Sequence, residues 1–259
     1  MDSELEHIIG RGPVHFIGIG GISMSGLAQI LLHRGIAVTG SDWHESGVLD
    51  HLRSLGAIIS VPHYASSITG QTLVVLTAAI PTDNPELVEA RRLGIPIMDR
   101  AHFLGDLAIG YKNTVAISGT HGKTTSTGMA ATVMMTANLD PTIHIGGMLP
   151  SIGGNTRLGS KDLFVMEACE YKNSFLQFHP THALILNIEA DHLDFFRNLD
   201  DILDSFTRYT HNIPLSGTLV LNLDDDGCRQ LASRIDRPYT GFQVSAPHPA
   251  DAGIGRMRR

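Results

Sequence analysis

Short apolar runs alternate with amphipathic stretches along the first hundred residues of the chain. Compact apolar runs predict buried strands, and apolar residues at helical spacing predict helices between them. The predicted strands are Val14–Ile19, Ala37–Thr39 and Leu73–Thr77. The predicted helices are Ile22–His33, Val48–Leu55 and Pro85–Leu93. Strands that alternate with helices are typical of βαβ units and a parallel sheet.

The same alternation begins again after Gly110–Asn113. The strands predicted there are Thr114–Ile117, Leu163–Met166, Ala183–Asn187 and Thr218–Leu223. The helices predicted there are Lys123–Thr136, Leu199–Tyr209 and Arg229–Ile235. Two successive blocks predict two α/β domains, over residues 1–110 and 111–236. Residues 237–259 hold three prolines, three glycines and four arginines without sustained periodicity, so we expect an irregular tail.

Composition narrows the class of protein. Hydrophobic residues make up 42% of the 259 and charged residues 17%, which excludes intrinsic disorder. The net charge of −7 argues against a protein that neutralises nucleic-acid phosphates. Two cysteines outside any C-x-x-C pair favour a reducing compartment. The acidic N-terminus is unlike a secretory signal, and no apolar run reaches the ~20 residues of a membrane span, so we expect a cytoplasmic protein.

The sharpest motif lies between the predicted strand Thr114–Ile117 and the helix that follows it. It consists of Gly119, Thr120, His121, Gly122, Lys123, Thr124 and Thr125. A glycine-rich turn at this place lets successive N–H groups point into one concavity, which suits the phosphates of ATP. Lys123 would reach the β- and γ-phosphates, and the Thr124 hydroxyl would hold Mg²⁺. The loop is a shortened G-x-x-G-K-T form, because Ile117 occupies the position of the first glycine of a general P-loop. The alternative is a chance glycine turn with a solvated lysine.

Acidic residues follow two of the predicted strands. Glu167 ends the strand Leu163–Met166, and Glu170 comes three residues later. The run Asn187–Asp194, which contains His192, follows another strand. Ligands of open parallel sheets bind beyond the carboxyl ends of the strands, where these side chains are expected. Carboxylates with a histidine and a threonine hydroxyl around phosphate oxygens predict one or two Mg²⁺ ions. The alternative is a set of helix caps and solvated turn residues.

A second glycine-rich turn opens the first block. Gly18, Gly20 and Gly21 follow the first predicted strand, and Asp42 follows the second. The arrangement resembles a dinucleotide fingerprint, but Ser23 stands where the third glycine belongs. The sequence therefore predicts a phosphate-binding turn without establishing a nicotinamide cofactor.

Several of these runs together resemble the Mur ligases. They are Gly119–Thr125 (GTHGKTT), Glu167–Leu176 (EACEYKNSFL) and Asn187–Asp194 (NIEADHLD). The opening His15–Ala28 and the triplet Gly153-Gly154-Asn155 are also similar to that family. The resemblance runs from about residue 10 to about residue 235 and ends near Arg237.

The resemblance implies a Rossmann-like N-terminal domain followed by a P-loop-type parallel α/β ATPase domain. The latter would be incomplete, and the family's C-terminal amino-acid-binding domain would be absent, so we expect a truncated chain of doubtful activity. The implied reaction belongs to peptidoglycan precursor synthesis. ATP phosphorylates the carboxylate of UDP-N-acetylmuramate, and the amine of L-alanine attacks the acyl phosphate. No protein partner, nucleic acid or membrane is implied.

The resemblance also implies roles for individual residues. The loop Gly119–Thr125 would surround the ATP phosphates, with Lys123 stabilising the transferring phosphoryl group. Thr124 and Glu167 would bind one Mg²⁺, and His192 a second. The substrate-binding residues would be Gly18, Gly20, Gly21, Asp42, Thr77, Ala78, Asn155 and Glu170.

Two other functions stay open at this point. One is the related ligase that attaches a recycled murein tripeptide to UDP-N-acetylmuramate, although the run Asn187–Asp194 argues against it. The other is a nucleotide-binding remnant without catalysis. A dehydrogenase is the weakest reading, because it leaves the loop Gly119–Thr125 unexplained.

Overall fold

The computed structural model describes residues 4–244. Up to residue 110 its helices and strands are, in chain order, α1 (Glu4–Ile9), β1 (Val14–Ile17), α2 (Ile22–His33), β2 (Val38–Ser41), α3 (Gly47–Ser54), β3 (Ile58–Ser60), β4 (Leu73–Leu76), α4 (Pro85–Leu93), β5 (Ile97–Asp99) and α5 (Arg100–Ile109). From residue 111 onward they are β6 (Asn113–Ser118), α6 (Lys123–Thr136), β7 (Thr142–Leu149), β8 (Gly154–Arg157), β9 (Leu163–Ala168), β10 (His182–Ile185), α7 (Leu199–His211), β11 (Thr218–Asn222), α8 (Asp226–Arg234) and β12 (Thr240–Phe242). The predicted bounds of α2, α4 and α6 are confirmed residue for residue.

The described chain divides into two compact units. The first runs to Gly110 and includes Thr142–Ser160, and the second comprises Tyr111–Pro141 and the chain from Lys161 onward. Residues 142–160 thus pack with the first unit, although the sequence pattern places them in the second domain. No helix among residues 4–244 has the length and apolar composition that a membrane span requires.

The first unit is built on a parallel sheet of five strands in the order β3-β2-β1-β4-β5. All four residues of β1 are buried, as expected for the central strand of a sheet covered on both faces. The strand order reverses beside β1, and such a switch point is where doubly wound sheets bind ligands. The glycine turn Gly18–Gly21 follows β1 directly.

The hairpin of β7 and β8 packs on α2 within the first unit. Asn155 on β8 donates its side-chain amide to the main-chain oxygen of Ile22 at 2.7 Å. Gly26 on α2 permits the close approach, because a Cβ there would overlap Thr156 Oγ1 and lie 2.9 Å from His144 Nδ1. This packing joins residues far apart in sequence, which local periodicity does not reveal.

The second unit contains five parallel strands in the order β12-β11-β10-β6-β9. Ile117 on β6 pairs with Glu167 on β9, and Ser118 pairs with Ile185 on β10. The residues that follow β6, β9 and β10 therefore meet at one edge of the sheet. The predicted α/β class with parallel sheets is confirmed.

Short elements at the sheet margins escaped the sequence pattern. The strands β3, β5 and β12 have three residues each, too few to show a period. Strand β5 passes directly into α5, whose cap is Asp99, the last strand residue, so no turn separates them.

The expected irregular tail is wrong at β12. Thr240–Phe242 pairs in parallel with β11, with Thr240 beside Val220. The prolines and glycines around this strand hid it, because only three residues join the ladder. The rest of the expected tail, from residue 245 to 259, lies outside the described residues.

The contact at Gly26 makes a testable prediction. We expect Gly26→Ala to destabilise the first unit by about 1–3 kcal/mol, because the added methyl group overlaps the hairpin. Gly47→Ala is the matched control, since Gly47 begins α3 with no atom within 4 Å of its Cβ position. It should be neutral or stabilise by up to about 1 kcal/mol. Urea unfolding followed by the fluorescence of Trp43, the single tryptophan and part of this unit, measures both. Equal stability of the two variants would contradict the packing described.

Candidate functional site

The loop between β6 and α6 has a backbone that requires glycine at two places. Gly119 has φ +137° and Gly122 has φ +79°, both in the region that side chains disfavour. A Cβ on Gly119 would also lie 3.0 Å from the main-chain nitrogen of Asn187. The two glycines thus let the chain turn sharply and let it approach Asn187.

Asn187 forms three hydrogen bonds with this loop, one through its main chain and two through its side chain. Its main-chain oxygen accepts from Thr120 N at 3.0 Å, and its side-chain oxygen accepts from His121 N at 2.7 Å. Its side-chain amide donates to His121 O at 3.1 Å. Nearby, Thr120 Oγ1 accepts from Glu189 N at 2.9 Å. The loop is therefore fixed to the segment that follows β10. The first N–H groups of α6 have no intrahelical partner and can bind an anion.

Lys123 lies back over the loop. Its ammonium donates to Gly119 O at 2.7 Å and to Thr120 O at 3.0 Å, and it approaches Glu170 Oε2 to 3.0 Å. The Lys123 side chain is 13% exposed and that of Glu170 is 2% exposed, so this is a nearly buried ion pair. Breaking such a pair leaves an uncompensated charge in the protein interior.

Glu167 carries an unpaired oxygen. It lies near the end of β9, and its Oε1 atom is buried with no hydrogen-bond partner in the described part of the chain. A buried carboxylate oxygen without a donor is costly, and a hard cation such as Mg²⁺ would satisfy it. Within residues 4–244, no group of three or more His, Cys, Asp and Glu side chains could hold a metal ion by itself. Thr124, the second residue of α6, is exposed at the same loop.

His192 stands on the other side of Glu170. It has φ +52°, and its ring lies 4.5 Å from that of Tyr171. Its Nε2 atom is 3.9 Å from Glu170 Oε1. The Tyr171 hydroxyl donates to Asp194 at 2.8 Å, and this hydrogen bond raises the pKa of Tyr171. The structure thus brings together Lys123, Glu170 and His192, with Glu170 between the Lys123 ammonium and the His192 ring.

The glycine turn of the first unit is braced by the strand beside it. Gly20 N donates to Asp42 Oδ2 at 2.8 Å, and Gly18 N and Ile19 N both donate to Ser41 O. A Cβ on Gly20 would lie 2.8 Å from the same Asp42 oxygen. Gly21 is the N-cap of α2 and offers it no side-chain cap. The predicted turn therefore forms, with Asp42 as its support.

Three further predicted substrate residues belong to this unit. Thr77 follows β4 and accepts from Ala79 N through its hydroxyl at 3.3 Å, while Ala78 is exposed. Asn155 is 7% exposed and is held at the first turn of α2.

A buried polar cluster lies behind Ser41. Its hydroxyl bonds to His63 Nδ1 at 2.6 Å and to the Glu86 carboxylate. His15 Nε2 is 3.5 Å from that carboxylate, and all four side chains are buried. Burial opposes ionisation of Glu86, but hydrogen bonds from His15 and Ser41 lower its pKa. The cluster fixes Ser41, whose main chain carries the glycine turn.

Sequence reasoning missed the roles of Asn187 and Arg100. Asn187 stands in a motif quoted above, but nothing in the sequence tells that it holds the phosphate loop. Arg100 begins α5, where no element was predicted, and its guanidinium donates to Ser23 Oγ at 3.1 Å. A charged residue that follows a strand would have been the available signal.

The Lys123–Glu170 pair makes a stability prediction. Glu170→Gln should destabilise the second unit by on the order of 3 kcal/mol, because Lys123 then lacks its buried counter-charge. Glu189→Gln is the control. Its carboxylate is 60% exposed and 3.9 Å from His121, so the effect should be about 0–1 kcal/mol. Differential scanning calorimetry of both variants tests this, and a Glu170→Gln melt like that of the unaltered chain would contradict it.

Two family descriptions match the chain. "Mur ligase family, catalytic domain" matches residues 13–112, and "Mur ligase middle domain" matches residues 117–252. The second match continues beyond Arg237, where the sequence motifs suggested that the resemblance ends.

Relatives and solved structures agree with these descriptions. UDP-N-acetylmuramate–L-alanine ligase of Clostridium novyi is 53% identical over 90% of this chain and 51% of its own length. The enzyme of that name from Lachnospira eligens is 54% identical over 82% of this chain and 47% of its own length. The chain spans about half the length of the curated relatives it matches.

The fold is similar to two solved Mur ligases. The UDP-N-acetylmuramate-alanine ligase of Thermotoga maritima has a TM-score of 0.78 and 34% identity, over 90% of this chain and 53% of that one. The UDP-N-acetylmuramate:L-alanyl-gamma-D-glutamyl-meso-diaminopimelate ligase of Neisseria meningitides has a TM-score of 0.81 and 26% identity, over 92% of this chain and 82% of that one. With the phosphate loop, the acidic strand ends and these matches in agreement, the chain belongs to the Mur ligase family.

Proposed function

We propose that this chain forms the nucleotide-sugar-binding and ATP-phosphate-binding parts of a cytoplasmic ligase that joins L-alanine to UDP-N-acetylmuramate, with ATP and Mg²⁺. The observation that carries the proposal is the edge of the second sheet. There a glycine loop fixed by Asn187, the nearly buried lysine Lys123 and the unpaired oxygen of Glu167 follow adjacent parallel strands. Relatives that are 53% and 54% identical to this chain over the aligned region are named UDP-N-acetylmuramate–L-alanine ligase, and these names support the choice of substrates.

The second unit would bind the ATP phosphates through its loop and the first turn of α6. The helix N-terminus offers N–H donors and a partial positive charge. Lys123 would exchange the oxygens of Gly119 and Thr120 for phosphate oxygens, and Glu170 would stay close enough to orient its ammonium. Thr124 and Glu167 would hold Mg²⁺, which neutralises charge on the phosphates when bound. His192, on the far side of Glu170, is the residue proposed for a second ion.

The first unit would bind the uridine nucleotide. Its glycine turn lies at the switch point of the sheet, where phosphates bind at the start of α2. We assign Gly18, Gly20, Gly21 and Thr77 to this site, with Asp42 acting as the support of the turn. In this assignment the Rossmann-like turn needs no nicotinamide cofactor.

The tripeptide ligase stays a second candidate because of one observation. The Neisseria structure, a ligase of UDP-N-acetylmuramate with a peptide, is as similar in fold as the alanine ligase from Thermotoga. Sequence identity favours the alanine ligase, at 34% against 26%. Supplying L-alanine or the tripeptide as the acceptor in a phosphate-release assay distinguishes the two.

The proposed ATP site predicts a selective loss in Lys123→Ala. Its affinity for Mg-ADP should fall by about 10- to 100-fold, since a charged hydrogen bond is worth about 1.5–3 kcal/mol. Its affinity for UDP-N-acetylmuramate should stay unchanged. Lys112→Ala is the control, because Lys112 is exposed just before β6, at the other end of that strand. Isothermal titration calorimetry measures all four affinities.

The outcomes separate binding from turnover. Unchanged Mg-ADP affinity in Lys123→Ala would contradict the ATP site, and no affinity of the unaltered chain for UDP-N-acetylmuramate would contradict the first-unit site. Phosphate release that needs both UDP-N-acetylmuramate and L-alanine, and that Lys123→Ala abolishes, would show that this chain completes the reaction.

A further inference from the structure

Arg100 is a cation without an anion. Its side chain is half-buried, and its one side-chain hydrogen bond to a described residue runs from Nη1 to Ser23 Oγ at 3.1 Å. No carboxylate among the described residues lies within ion-pair distance of it. Arg53 and Arg92 in the same unit, by contrast, pair with Glu45 and Glu89. A guanidinium has five N–H donors, so most of those on Arg100 have no hydrogen-bond partner among residues 4–244.

A chain of hydrogen bonds fixes the position of Arg100. Ser23 Oγ is 2.9 Å from His144 Nε2, and His144 Nδ1 is 3.2 Å from Thr156 Oγ1. His144 is 4% exposed, and burial, helped by the charge of Arg100, lowers its pKa to about 3. Its ring is therefore neutral at physiological pH.

Arginine can only donate, so Ser23 Oγ accepts from Arg100. The neutral ring of His144 has one N–H donor and one acceptor nitrogen, so it can bond to the hydroxyls of Ser23 and Thr156 in either of its two tautomers. Ser23, the residue in place of the third fingerprint glycine, is the link between Arg100 and the β7–β8 hairpin.

The position of Arg100 is unfavourable unless an anion binds beside it. Ser23 is the second residue of α2, and the N-terminus of a helix carries partial positive charge. A cation placed there is repelled by the N-terminus of α2. An anion is attracted both by that N-terminus and by the Arg100 guanidinium. The glycine turn Gly18–Gly21 immediately precedes this helix, at the switch point of the sheet.

We infer that Arg100 binds the diphosphate of the nucleotide substrate, and that Ser23 and His144 are positioning residues that hold its guanidinium at the glycine turn. This role rests on the proposed function, because it assumes that the first unit binds a uridine diphosphate compound. It adds to the turn a bidentate donor, the geometry in which arginine recognises phosphate.

Calorimetric titration with UDP, in excess Mg-ADP to occupy the loop at Lys123, tests the role of Arg100. Arg100→Ala should lower the affinity for UDP by about ten-fold or more. Arg100→Lys should lose less affinity for UDP, because lysine keeps the positive charge but lacks the paired N–H donors of the guanidinium. Arg92→Ala, which removes an exposed arginine of the same unit, should bind as the unaltered chain does. With uridine, which has no phosphate, Arg100→Ala and the unaltered chain should bind equally.

Ser23 variants test the positioning. Ser23→Ala should weaken UDP binding, and Ser23→Thr should restore it, because threonine keeps the hydroxyl. The double variant Ser23→Ala/Arg100→Ala should bind no more weakly than Arg100→Ala alone, since Ser23 acts through Arg100. A purely structural serine would give additive losses, and that result would overturn its positioning role.

The remaining outcomes distinguish the inference from the proposed function. No UDP binding by the unaltered chain would overturn both. UDP binding that Arg100→Ala leaves unchanged would overturn the inference alone, and so would an equal loss with UDP and uridine.

Discussion

The second unit depends on the close approach of Gly119 to Asn187. Any side chain at Gly119 would press against the main chain of Asn187, and its φ of +137° already excludes most residues. Because the two segments touch, Asn187 can bond the peptide groups of Thr120 and His121 from the end of the neighbouring strand. The loop Gly119–Gly122, which we propose binds the ATP phosphates, is thereby held in shape by the protein alone. A preorganised loop spends less of its binding energy on ordering itself.

In the first unit, different residues hold the glycine turn in shape. A glycine turn again follows an inner strand of a parallel sheet. The neighbouring strand again supplies the support, here the Ser41 carbonyl and the Asp42 carboxylate. The buried cluster around Glu86 holds Ser41 from behind. In both units a polar residue just after one parallel strand fixes the loop that follows the neighbouring strand of the sheet. This shared design gives each unit a glycine turn that is fixed by the neighbouring strand.

The sequence was sufficient for the central elements of both units. The bounds of α2, α4 and α6 were predicted to the residue, and so was the glycine loop that precedes α6. Three-residue strands and the docking of the β7–β8 hairpin were not, because they depend on partners distant in sequence. The pairing of Lys123 with Glu170 was also invisible. It joins residues 47 positions apart, and no local period in the sequence encodes such a contact.

The central claim, that Asn187 organises the phosphate loop, is tested most directly by the Mg-ADP affinity of Asn187→Ala. Asn222 offers a matched control, because its side-chain amide also bonds this segment, at Leu186 O, but touches no loop residue. If the loop is organised by Asn187, Asn187→Ala should bind Mg-ADP about ten-fold or more weakly, and Asn222→Ala should bind it as the unaltered chain does. Unchanged affinity in a folded Asn187→Ala would contradict the account.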